Sequence, residues 1–141
     1  MILLDTNIVS EFMGAPPNPS VLAWLKTLPV SEIGITAIQT AEIMKGLTSL
    51  PEGRRRNSLF RDYRSFRANL PDTNVLPFDE AAALEFGNIV SHRSLIGRPI
   101  KEMDAQIAAI AVVHGYPLAT RNIGDFEDRG ITLINPFTYK V

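Results

Sequence analysis

Short apolar segments of strand length alternate along this chain with longer stretches of helical period, and that alternation constrains the fold more than any other feature. Ile2-Leu3-Leu4-Asp5 reads as a strand buried on both faces, because three successive apolar residues leave no polar side. Ile33 and Ile35 give a second strand over residues 32–36, and shorter ones are expected over 74–77, 116–120 and 131–134. Helical patterns fill the intervals. Thr6 or Asn7 caps a short helix through about Met13. Ser20 caps another, with Val21, Leu22, Trp24, Leu25 and Leu28 on its apolar positions and Pro29 ending it. Thr36 and Gln39 have the spacing of a capping box, which starts a helix at residue 37 with Ile43, Leu47 and Leu50 inward. An arginine-rich helix follows Gly53 and runs to about Asn69. Asp79 opens a helix containing Leu84, Phe86, Ile89 and Val90. A last helix, from Lys101 to Val113, buries Met103, Ile107, Ile110 and Ala111 and stops at Gly115. Parallel strands need crossovers of this length, so the fold class is α/β: a central, mainly parallel sheet covered on both faces.

The length of 141 residues suits one domain spanning 1–141, with no internal repeat or linker. No apolar run reaches the ~18 residues that a membrane span needs, and the first residues lack the features of a secretory leader. The absence of cysteine excludes disulfides, thiolate zinc sites and a cysteine nucleophile, and agrees with a cytoplasmic location. A net charge of −1 gives no global attraction to nucleic acid, but the charges are unevenly placed. Arg54, Arg55, Arg56, Arg61, Arg64 and Arg67 crowd one helix, opposed there by Asp62 alone, which leaves the acids in excess elsewhere.

Ligands of open parallel sheets bind beyond the carboxyl ends of the strands. Asp5 ends the first strand, Glu42 lies in the helix leaving the second, Asp104 opens the last helix and Asp125 follows Thr120. Taken separately, each acid has an ordinary explanation. Asp5 and Asp125 suit caps, Asp104 suits a helix dipole, and Glu42 suits a solvated helix face. Taken together at one edge, they would repel one another and hold a hard cation such as Mg²⁺ or Mn²⁺. Periodicity alone does not choose between these readings. His92, in a polar stretch, and His114, before the helix stop, suit solvent or dipole roles. No glycine-rich phosphate cradle is present.

Four ordered stretches carry a resemblance. Leu3-Leu4-Asp5-Thr6-Asn7, Thr40-Ala41-Glu42-Ile43-Met44-Lys45-Gly46, Met103-Asp104-Ala105-Gln106-Ile107-Ala108-Ala109 and Ala119-Thr120-Arg121-Asn122-Ile123-Gly124-Asp125-Phe126 resemble PIN-domain ribonucleases, particularly VapC-type toxins of toxin–antitoxin pairs. The closing Asn135-Pro136-Phe137 is similar to the FitB-like subgroup. The resemblance implies a three-layer α/β/α PIN-like fold and metal-dependent endonucleolytic cleavage of RNA, with water attacking phosphorus in line. It implies Asp5, Glu42, Asp104 and Asp125 as catalytic, Mg²⁺-centred acids, with Mn²⁺ as a substitute. Some relatives carry their fourth acid where this chain has Asn122, whereas others pair an asparagine there with an acid three residues later, as here. Thr6, Asn7, Thr120 and Asn122 are implied as supports of the acids or as substrate contacts. The implied partners are a VapB/FitA-like antitoxin that blocks the groove, RNA as substrate, and DNA only through the antitoxin. Homodimers, paired again in the DNA-bound complex, are also implied, and no membrane. Arg54, Arg55, Arg61 and Arg64 are candidates for RNA or antitoxin contact, beside the plainer reading of a solvated helix face. A rival function is a regulatory subunit acting mainly through a DNA-binding complex. A phosphoacceptor receiver domain is disfavoured, because no acid ends a middle strand and no late-strand lysine follows.

Overall fold

Leu3 and Leu4 point to opposite faces of one sheet and seed two separate cores. A computed structural model of the chain describes residues 1–141. Its sheet is entirely parallel, in the order β3-β2-β1-β4-β5, with β1 Ile2–Leu4, β2 Ile33–Thr36, β3 Val75–Leu76, β4 Leu118–Ala119 and β5 Leu133–Ile134. The central strand β1 sets Ile2 opposite Ile33 on one side and Leu3 opposite Leu118 on the other. Because successive side chains alternate across a strand, Leu3 and Leu118 join one apolar cluster while Leu4 and Ala119 join the other.

The first cluster is covered by α5 (Glu80–Leu95) and α6 (Glu102–His114), which supply Ala82, Ile89, Ala105, Ile107, Ala108, Ile110 and Ala111. Helix α6 is buried around most of its circumference, and its run of alanines lets it lie close against its neighbours. The second cluster lies under α1 (Thr6–Val9), α2 (Pro19–Leu25), α3 (Ala37–Thr48) and α4 (Arg54–Ala68). Helices on both faces of a parallel sheet make the expected three-layer α/β/α arrangement. No helix is long and apolar enough to cross a membrane.

The elements lie where the residue pattern places them, with differences at their ends. The helix expected after Ser20 starts at Pro19 and is capped by Asn18, whose Oδ1 accepts from the Ser20 and Val21 amides at 2.9 and 3.4 Å. Proline is tolerated in a first helical turn, so three nearby prolines do not push the start further on. This helix ends at Leu25 rather than running to Leu28. The first helix is one turn followed by a 3-10 turn over Ser10–Phe12. Leu84 projects into solvent, while the aromatic Tyr63 of α4 is buried in the core.

The capping box of α3 is present and does more than start a helix. Gln39 is fully buried; its Oε1 accepts from the Thr36 amide (2.8 Å) and the Thr36 hydroxyl, and its Nε2 donates to the Leu4 carbonyl (2.8 Å). One side chain thus ties the start of α3 to the last residue of β1. That bond fixes Glu42, one turn further along α3, relative to Asp5.

Candidate active site

The strand order changes direction at β1: the chain builds β2 and β3 on one side, then crosses to build β4 and β5 on the other. In open α/β sheets the crevice at such a switch point is where ligands bind. Asp5 stands at the carboxyl end of β1, and Thr120 stands at the end of neighbouring β4.

The two are bonded directly. The Thr120 hydroxyl donates to Asp5 Oδ2 at 2.7 Å and accepts from the Asn122 amide at 3.0 Å. Asp5 also accepts from the Thr6 amide through Oδ1 (2.8 Å) and from Asn7 Nδ2 (3.3 Å). Asn7 in turn accepts from the Arg121 amide at 3.2 Å, so side chains bond the β1 and β4 ends twice, in addition to the Asp5 amide donating to the Ala119 carbonyl at 2.8 Å. Asp5 does cap α1, as its plainer reading supposes, while its carboxylate stays at the crevice. Thr6 sits between two acids, donating through its hydroxyl to Glu42 Oε1 at 3.1 Å.

Asp5, Thr6, Asn7, Glu42, Asp104, Asn122 and Asp125 all line one open pocket of about 510 Å³, together with Ser10, Glu11, Lys101 and Arg121. No strand precedes Asp104; it reaches the pocket because α6 begins at the same end of the sheet. The crowding registers in the acid strengths. Burial pushes Asp5 up, opposed by its hydrogen bonds from Thr120 and Thr6, with the charge of Asp125 adding to the rise. Burial also raises Glu42, opposed by the Thr6 hydroxyl, with Asp5 adding to the rise. Asp104 makes no side-chain hydrogen bond. Burial and the charges of Asp5, Glu42 and Asp125 push it up to about 6, only partly opposed by Lys101.

The donors are oxygens only, and carboxylates that disfavour one another's ionisation regain it when a divalent cation lies among them. The set therefore fits Mg²⁺ or Mn²⁺ in chemistry. No three of these side chains are already gathered into a finished coordination cluster. Asp5 is held by its donors, and Glu42, Asp104 and Asp125 line the pocket around it.

Other expected residues lie elsewhere. Arg54, Arg55, Arg61 and Arg64 are exposed on α4 and line no part of the acid pocket. Arg64 and Arg56 instead sit over the Phe60 ring, at 5.5 and 5.6 Å from its centroid, beside a separate hollow. Asp62, the acid among them, accepts from the Gly14 amide at 2.8 Å, and of the α4 arginines only Arg67 has a carboxylate partner, Asp72. His114 stacks on Tyr116, away from the acids.

Residue patterns alone did not disclose Lys101 and Arg121 as the cations of the pocket, although both neighbour the acid-bearing stretches. Nor did they disclose Arg93, a buried arginine of α5. Its Nη1 donates to the Asp125 carbonyl at 3.0 Å and its Nε to the Arg98 carbonyl, anchoring the turn that carries Asp125. Glu11 lines the pocket too, and accepts from the Asn18 amide at 2.9 Å.

The PIN-domain family model matches residues 2–130. The chain is a PIN domain. A protein named VapC ribonuclease Y4jK, from Sinorhizobium fredii, is 38% identical over 97% of this chain and 98% of its own length. Toxin FitB of Neisseria gonorrhoeae is 36% identical over 97% and 99%. The crystal structure of FitAcB from Neisseria gonorrhoeae superposes with a TM-score of 0.88 at 36% identity, covering 98% of this chain and 99% of that one. A structure of FitAB bound to an IR36 DNA fragment gives 0.89 at 35% identity, covering 100% and 99%. The chain belongs to the PIN domains of the VapC and FitB type, and its three-layer fold is theirs.

Proposed function

We propose that this PIN domain is the ribonuclease toxin of a toxin–antitoxin pair, cleaving RNA phosphodiesters with a divalent cation held by Asp5, Glu42 and Asp104. The observation that carries the reading is the gathering of these acids with Asp125 in one pocket at the switch point of the sheet, where burial and their charges raise Asp104 to about 6. When bound, Mg²⁺ or Mn²⁺ would polarise the phosphate, activate water and stabilise the departing oxygen.

The chain's own residues prepare that site. Thr120, Asn7 and the Thr6 amide hold Asp5 in one orientation, and the Thr6 hydroxyl holds Glu42. Glu42 Oε2 and both Asp104 oxygens carry no hydrogen bond within the chain, leaving them for the cation and for the proton that attacking water sheds. Asp125 is the fourth acid in this reading, and Asn122 contacts water or substrate beside it.

An antitoxin segment covering the pocket would control the activity, in keeping with relatives solved as toxin–antitoxin complexes. The exposed arginines of α4 would meet RNA phosphates or that partner. DNA would be engaged only through the antitoxin. Leu84 and Leu95, both exposed on α5, offer an apolar contact for a homodimer.

The DNA-bound FitAB structure favours a second reading, in which the chain acts mainly as a subunit of a DNA-binding complex. Incubating purified protein with tRNA and ribosomal RNA in Mg²⁺ separates the two. The nuclease reading expects cleavage that EDTA, Asp5→Asn and Asp104→Asn abolish. An inactive wild type favours the second reading, and equal activity in all three proteins would sink the proposed site.

A further inference from the structure

Arg121 occupies a position that neither the acids nor the fold require. It follows Thr120 at the end of β4, lines the acid pocket, and its guanidinium carbon lies 4.4 Å from the centroid of the Phe137 ring. Its backbone amide is fixed by Asn7. The salt bridges of the chain involve Met1, Arg67, Arg98 and Arg129, so Arg121 pairs with none of the acids beside it.

The ring beneath it is itself held. Phe137 lies in the turn Pro136–Thr138, which packs on α2, and its amide donates to the Asn135 side chain at 3.0 Å. The ring also packs against the second core. The Asn135-Pro136-Phe137 stretch, which the acid chemistry leaves without a role, thus builds a shelf for one guanidinium. A stacked arginine keeps its charge and its hydrogen-bond donors while losing the freedom of its long stem. It is therefore organised before an anion arrives.

We propose that Arg121, stacked on Phe137, is a substrate-positioning residue that grips a backbone phosphate of RNA next to the one that is cut. The inference rests on the nuclease reading and adds a recognition element to the same site. An acid pocket repels a polyanion, and a preset cation at its rim supplies local attraction that survives while the acids are ionised. Lys101 lines the same pocket and is exposed like Arg121, but no aromatic ring supports it.

The test uses the full chain carrying Asp104→Asn in Mg²⁺, so that a fluorescein-labelled single-stranded RNA of mixed sequence stays intact while anisotropy reads its binding over a range of salt. Arg121→Ala is expected to weaken binding about tenfold, the loss of one charged hydrogen-bonding contact. It should also reduce the slope of log affinity against log salt by about 0.7, the value for one single-strand phosphate. Arg121→Lys is expected to restore the slope with part of the affinity. Phe137→Leu, which keeps an apolar side chain in the core, should keep the slope and weaken binding several-fold. Affinity and slope unchanged in Arg121→Ala, with only the melting temperature lowered, would overturn the proposal and leave a structural contact. Absence of RNA binding by the Asp104→Asn parent would overturn it along with the RNA reading. Degradation of the RNA by that parent would overturn the acid assignment alone, and the affinities would then be read in EDTA with the same criteria.

Discussion

Replacing Thr120 by valine removes one hydroxyl and little volume from a fully buried position. That hydroxyl makes the shortest side-chain bond to Asp5, at 2.7 Å, and is also the acceptor for the Asn122 amide. A hydrogen bond to a charged group contributes about 1.5–3 kcal/mol, so Thr120→Val should destabilise the metal-free protein by about 2 kcal/mol. With 2–4 °C per kcal/mol for a domain of this size, the melting temperature should fall by about 4–8 °C. The loss also removes the strongest influence holding the Asp5 carboxyl down, so that burial raises it further. A carboxylate less ready to ionise and free to turn binds a cation more weakly, and loss of such a supporting bond typically costs 10–100-fold in metal affinity. Calorimetric titration of Mn²⁺ into wild type, Thr120→Val and Thr120→Ser measures this directly. Serine keeps the hydroxyl and should stay close to wild type. If valine binds Mn²⁺ as tightly as wild type, the Thr120 bond does not organise the site and the reasoning fails.

Asp104 yields a prediction in pH. Its carboxyl sits at about 6 in the folded chain against an ordinary 3.8, so between these values the folded form holds more protons than the unfolded one, and stability falls as pH rises from about 4 to 6. In EDTA, Asp104→Asn should therefore melt higher than wild type above pH 6, and the advantage should vanish near pH 4; an advantage independent of pH would contradict this origin. Gln39→Ala should destabilise by about 2–4 kcal/mol in urea unfolding, since it leaves a cavity and strands the Thr36 amide and Leu4 carbonyl. A loss under about 0.5 kcal/mol, the range of surface substitutions, would show that the link between α3 and β1 contributes little.

The features legible in the sequence are those set by neighbours along the chain. The Thr36–Gln39 capping box, the Gly115 stop at φ 68° and the apolar run ending in Asp5 each depend on a few adjacent residues, and each lies where expected. What periodicity could not supply was convergence. Thr120 and Asp5 are 115 positions apart, and their bond exists only because β4 pairs beside β1. Asp104 follows no strand, so no local rule could bring it to the sheet edge; the packing of α6 on the sheet and α5 does. Nothing beside Arg93 in the chain marks it as buried, and one of the two carbonyls that receive its guanidinium, that of Asp125, comes from a distant turn. The four resembling stretches supplied the missing long-range information for the acids. They said nothing about the stacking of Arg121 on Phe137, because Phe137 lies outside those four stretches.

In the proposed function Asp5, Glu42 and Asp104 converge on one divalent cation. A crystal grown with Mn²⁺ and measured at the manganese absorption edge tests it most directly. An anomalous peak is expected in the pocket at the end of β1, with oxygens of Asp5 and Asp104 about 2.0–2.3 Å away, as hard-cation coordination requires. A pocket without a peak at saturating Mn²⁺, or a peak bound by other residues, would contradict it.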